Sequence, residues 1–93
     1  MGNNIIIFTL DGCEYCDNLK NKLNNLNIPF QEFEITRNRT IWNQVIEQTG
    51  LDTLPTVFIR EDYDDTGPVY MPGRDYESQE EILEIIKSYI LSN

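Results

Sequence analysis

The hydrophobic pattern changes period several times along the chain, and each change marks an element. Apolar and β-branched residues run together from Asn4 to Leu10, which predicts a buried central strand. Asp11-Gly12 is a turn signal. From Cys13 the spacing becomes helical: Cys16, Leu19, Leu23 and Leu26 share one face, Lys and Asn occupy the other, and Asn27-Ile28-Pro29 ends the run. Phe30 to Ile35 alternates, with Phe33 and Ile35 against Glu32 and Glu34, as a short half-buried strand does. A second helix follows, capped by Thr36 or Asn38, with Ile41, Trp42, Val45, Ile46 and Thr49 as its buried stripe and Gly50 at its C-terminus.

Thr53-Leu54-Pro55 leads directly into the apolar stretch Thr56-Val57-Phe58-Ile59. A proline cannot donate to a sheet ladder, so Pro55 belongs at the first position of this strand. Glu61 to Pro68 is an acidic turn containing Gly67, and Val69 to Met71 is expected to return as the second arm of a hairpin. Met71-Pro72-Gly73-Arg74-Asp75 forms another loop. The last helix opens on the capping box Ser78-Gln79-Glu80-Glu81, and Ile82, Ile85, Ile86, Tyr89 and Ile90 follow at helical spacing.

The predicted order is β-α-β-α-β-β-α. A leading βαβ unit implies parallel strands joined by a right-handed crossover, and the closing hairpin adds antiparallel ones. The expected fold class is therefore α/β, a small four-stranded mixed sheet flanked by helices on both faces. With 93 residues and no internal repeat or linker, residues 1–93 are expected to make a single domain.

Composition narrows the function more than the fold. The formal net charge of −9, with a pI near 4.2, argues against nucleic-acid binding, which needs clustered Lys and Arg. Such a charge fits plain solubility, or steering toward a basic partner surface. Ile5 to Leu10 is too short and too poorly flanked for a signal peptide, and no stretch approaches a membrane span. The expected compartment is cytoplasmic and reducing, where a lone structural disulfide rarely persists and a cysteine pair is expected to cycle.

That pair is Cys13-Glu14-Tyr15-Cys16, which holds the only two cysteines of the chain. Disulfide exchange needs one thiol that attacks as thiolate and a second that resolves the mixed disulfide. Cys13 stands at the start of the helix, near unpaired N–H groups that favour negative charge; Cys16 lies one turn deeper. Cys13 is thus assigned as attacking thiol and Cys16 as resolving thiol. A zinc site is excluded, because four ligands are wanted and the chain has two cysteines and no histidine. A purely structural disulfide closing so small a loop would add little stability.

With Thr53-Leu54-Pro55-Thr56-Val57 before a strand and a Gly73-x-Asp75 loop, the pair makes the chain resemble a glutaredoxin over nearly its whole length. Tyr15 keeps the third residue of that family's usual Cys-Pro-Tyr-Cys, and Asp17-Asn18 after the pair is similar to phage- and virus-encoded members, which would place the protein in a host cytosol. The resemblance implies a thioredoxin fold and glutathione-dependent reduction of protein disulfides or glutathionylated proteins, with glutathione as reductant. It implies a cis Pro55 facing the cysteines, a Leu54 backbone that holds the substrate's cysteine, and Tyr15 packed beside the bound tripeptide. It implies that Gly73, Arg74 and Asp75 lie where the γ-glutamyl end is received. Disulfide-containing protein clients, among them ribonucleotide reductase, and a monomeric state follow from the same resemblance, as does a potential of about −200 to −230 mV.

The chain departs from the family at three places. Leu10 stands where glutaredoxins usually carry Lys or Arg, so Arg74 or Arg39 is the candidate replacement charge, each also readable as a solvated surface residue. The loop has one Gly and one Asp where the family commonly has Gly-Gly-x-Asp-Asp. Glu14 puts a carboxylate beside the thiolate and opposes the helix-end effect. Three other functions therefore stand beside the first: a thioredoxin-like donor reloaded by a reductase, an iron–sulfur carrier in which Cys13 of two copies and two glutathiones hold a cluster, and a redox-inert interaction module.

Overall fold

The computed structural model describes residues 4–60 and 67–91. The elements are β1 (Asn4–Thr9), α1 (Glu14–Asn25), β2 (Gln31–Glu34), α2 (Arg39–Thr49), β3 (Thr56–Arg60), β4 (Val69–Tyr70) and α3 (Gln79–Leu91). They form one four-stranded sheet in the order β2-β1-β3-β4. β1 runs parallel to β2, pairing Phe8 with Phe33, and antiparallel to β3, pairing Ile7 with Val57. β4 returns antiparallel to β3, as the hairpin pattern predicts. The mixed sheet and flanking helices are those of the thioredoxin fold.

β1 is central, and its side chains feed both faces. Ile5 and Ile7 join Leu19 and Leu23 of α1, Val57 and Ile59 of β3, and Ile82, Leu83 and Ile86 of α3. Ile6 and Phe8 face the other way, onto Trp42 of α2 and Met71. The Phe8 ring lies 5.4 Å from Trp42 and 5.7 Å, edge on, from Phe33. Each such fully buried side chain is worth roughly 1.5–3 kcal/mol, so a polar residue at any of these β1 positions would cost the layer it faces.

The element ends differ from the sequence reading for local reasons. β1 stops at Thr9, and Leu10 is 39% exposed, its carbonyl accepting the Cys13 N–H across the Asp11-Gly12 turn. α1 ends at Asn25, which turns Leu26 out to 47% exposure; Asn27 then adopts φ 57°. Asn38 does sit at the N-cap of α2, but its side chain donates to the Glu34 carbonyl and makes no cap bond. Ile41, expected in the buried stripe of α2, is 41% exposed, because only the Trp42 flank meets the sheet. In α3, Ile90 is exposed and Leu83 takes a place in the core instead. Gly50 is left-handed at the end of α2, as expected.

Most of the predicted acidic turn, residues 61–66, lies outside the described residues. Gly67 can be read: a Cβ there would collide with the Ile59 carbonyl oxygen, so no larger residue fits beside β3. Met71, read as part of the second arm, follows β4 and is fully buried.

Candidate active site

The β1–α1 junction places the cysteines. Gly12, at φ 84°, turns the chain so that Cys13 becomes the N-cap of α1. Cys13 and Cys16 are joined in a disulfide with their Cα atoms 5.3 Å apart. The two sulfurs are not equivalent. Cys16 has no exposed surface, whereas Cys13 is half-buried, and Cys13 Sγ accepts the backbone N–H of Cys16 at 3.2 Å. An orphan helix N–H thus points at the outer sulfur, an arrangement that favours negative charge there.

The turn before Cys13 is fastened to the loop after β2. Glu34, read from alternation as a polar-face residue, is only 4% exposed. Its carboxylate accepts the N–H groups of Asp11 at 3.1 Å, Thr36 at 2.8 Å and Arg37 at 3.3 Å, and also the Thr36 hydroxyl. Those bonds, led by the Thr36 hydroxyl and then the Asp11 N–H, hold its pKa below the ordinary carboxylate value. A second carboxylate, Glu32, accepts from Lys20 at 2.8 Å and from the Thr9 hydroxyl at 2.6 Å. Hydrogen bonding to Lys20 lowers the Glu32 pKa, and the same bond raises that of Lys20. Arg37 pairs with Asp11 at 3.0 Å, but both side chains are well exposed, so this bridge adds little.

Beside the disulfide lies a cleft of about 480 Å³, lined by Tyr15, Thr53, Leu54, Pro55, Gly73, Tyr76 and Gln79 among others. Four of the residues singled out from the sequence meet here: Tyr15, Leu54, Pro55 and Gly73. The Leu54-Pro55 bond is cis. Tyr15 is 67% exposed, an aromatic surface beside the cysteines.

Arg74 and Asp75 are placed differently. Asp75 Oδ2 accepts the Met71 N–H at 2.8 Å and Arg74 Nε at 2.7 Å, while the Arg74 guanidinium also donates to the Val69 carbonyl at 2.9 Å. Both side chains brace their own loop, and neither lines the cleft. Arg39, the other candidate cation, is an exposed residue at the first turn of α2. Among the described residues no group of three or more His, Cys, Asp or Glu side chains could hold a metal, and no helix is long and apolar enough to cross a membrane.

Sequence reasoning did not single out Thr53, Tyr76 or Gln79. Tyr76 is 4% exposed and donates its hydroxyl to the Pro55 carbonyl, tying the Gly73 loop to the start of β3. Gln79 reaches the Tyr15 carbonyl at 3.4 Å. Gln79 was hidden inside a capping box, where its position reads only as the first helical residue.

The comparisons with known proteins agree with this geometry. The family model described as Glutaredoxin matches residues 5–63. Glutaredoxin 3 of Escherichia coli K12 is 34% identical over 56 residues, 60% of this chain and 68% of that protein. A buckwheat glutaredoxin, solved in complex with glutathione, aligns at 28% identity with a TM-score of 0.53. That alignment spans 61% of this chain and a little over half, 55%, of the buckwheat chain. A thioredoxin of Plasmodium falciparum aligns over 96% of this chain and 72% of its own, with a TM-score of 0.61 and 14% identity, a likeness of fold alone.

Proposed function

The chain belongs to the glutaredoxin family of thiol–disulfide oxidoreductases, and from that premise we propose that it reduces disulfides through Cys13 and Cys16 with glutathione as its reductant. The observation that carries the assignment of roles is the asymmetry of the pair: Cys13 half-exposed with a helix N–H on its sulfur, Cys16 fully buried.

In the reduced protein the Cys13 thiolate attacks one sulfur of a substrate disulfide. The other substrate sulfur leaves as a thiolate and takes a proton, and a mixed disulfide remains on Cys13. Cys16 then attacks the Cys13 sulfur, the second substrate thiol leaves, and the Cys13–Cys16 disulfide closes. Two glutathione molecules return the two electrons and become glutathione disulfide. The substrate's peptide lies in the cleft, along Leu54-Pro55 and against Tyr15, with Gly73 leaving the opposite wall open. Protein disulfides and glutathionylated proteins are the substrate classes; ribonucleotide reductase is one client for such a donor.

The half-exposed Leu10, standing where a cation is usual in the family, favours a second reading in which a reductase reloads the pair without glutathione. Trapping separates the two. A reduced Cys16→Ser variant exposed to glutathione disulfide is expected to accumulate one glutathione on Cys13, seen as a single adduct by mass spectrometry. An unmodified Cys13 under conditions that oxidise the wild type would contradict glutathione as partner.

A further inference from the structure

Among the described residues, Thr53 Oγ1 and Gln79 Oε1 are both buried and without a hydrogen-bond partner, and both side chains line the cleft beside the disulfide. Two unmet polar atoms on the walls of one cleft point to a ligand that supplies their partners. Gln79 is the more informative of the two. Its Nε2 donates to the Tyr15 carbonyl across 64 positions of the chain. A carbonyl only accepts, so this contact fixes which end of the carboxamide is nitrogen and leaves the oxygen as the unpartnered end. An amide oxygen accepts and never donates, so the missing partner is an N–H or O–H donor.

Asp75, in the neighbouring loop, is already engaged. Asp75 Oδ2 takes both the Met71 N–H and Arg74 Nε. Gln79 lies one element further on, at the first position of α3, and its side chain reaches the first turn of α1. Peptides carry N–H groups at regular intervals, and a disulfide-bearing peptide seated by Leu54-Pro55 would bring one to this wall.

We propose that Gln79 is a specificity-determining residue: its Oε1 accepts an N–H of a peptide-like disulfide substrate, while the Nε2 bond to Tyr15 orients it. This rests on the reading that Cys13 exchanges disulfides in this cleft. The consequence is a preference for disulfides flanked by peptide amides over disulfides that carry no donor.

The test is a single-turnover measurement needing no recycling system. Reduced wild type, Gln79→Leu and Gln79→Glu are mixed with glutathione disulfide, which has peptide N–H groups, or with dithiodipropionate, which has none. The Leu variant is expected to lose about three- to ten-fold in second-order rate constant with glutathione disulfide, and nothing with dithiodipropionate. The Glu variant keeps an acceptor and loses only the donor to Tyr15, so its preference for glutathione disulfide is expected to stay at or above that of the wild type. A Leu variant equal to wild type on both disulfides overturns the proposal. So do equal losses in the Leu and Glu variants, which would mark the Tyr15 contact as a mere tether. A wild type that reacts with neither disulfide overturns the exchange reading itself, and this proposal with it.

Discussion

The Tyr76 hydroxyl donates to the Pro55 carbonyl, joining the Gly73 loop to the start of β3 inside the wall of the cleft. Burial and the nearby Asp75 charge hold the phenol well above its ordinary pKa, so it remains a donor through the physiological range. Tyr76→Phe keeps the packing and leaves the Pro55 carbonyl unmet. A loss of about 1–3 kcal/mol in urea unfolding is expected, with the Cys13 alkylation rate unchanged. Unaltered unfolding would contradict the importance of this bond.

Glu34 makes stability acid-sensitive. Its folded-state pKa is depressed, so its contribution is present above the unfolded value and fades as pH falls through the folded one. Wild-type urea midpoints are expected to drop between about pH 7 and about pH 3, and the drop should be smaller in Glu34→Gln. An identical drop in both proteins would remove Glu34 from the account of the Cys13 turn.

Glu14, next to Cys13 in the chain, is expected to oppose the thiolate that the helix end favours. It is exposed, and exposed charge pairs are worth about 0.2–1 kcal/mol, so Glu14→Gln is expected to speed Cys13 alkylation roughly two- to five-fold near neutral pH. Raising the salt concentration should shrink the difference between the two proteins. A rate unchanged by the substitution would show that helix geometry alone governs this thiol.

Much of the fold was legible because its signals are local. The Ile5-to-Phe8 run, the turn at Gly12, Gly50 at the end of α2 and the Ser78 capping box each depend on a few neighbouring residues. The place of the cysteine pair at the start of α1 was legible for the same reason. What escaped was set by hydrogen bonds that hydrophobic periodicity does not report, some within one loop and some across the chain. Alternation placed Glu34 on a polar face, yet three backbone N–H groups from two loops bury it. Resemblance put Arg74 and Asp75 where the γ-glutamyl end is received; in the structure they pair with each other and with the Met71 and Val69 backbone. Tyr76 and Gln79 reach residues 21 and 64 positions away, and no local pattern reports such contacts.

The central claim is that Cys13 and Cys16 draw electrons from glutathione. The direct measurement supplies a glutathionylated peptide and follows NADPH consumption with either glutathione plus glutathione reductase, or thioredoxin reductase alone. Consumption with the glutathione pair, abolished by Cys13→Ser, is the expected result. Turnover only with thioredoxin reductase, or none with glutathione, would contradict it.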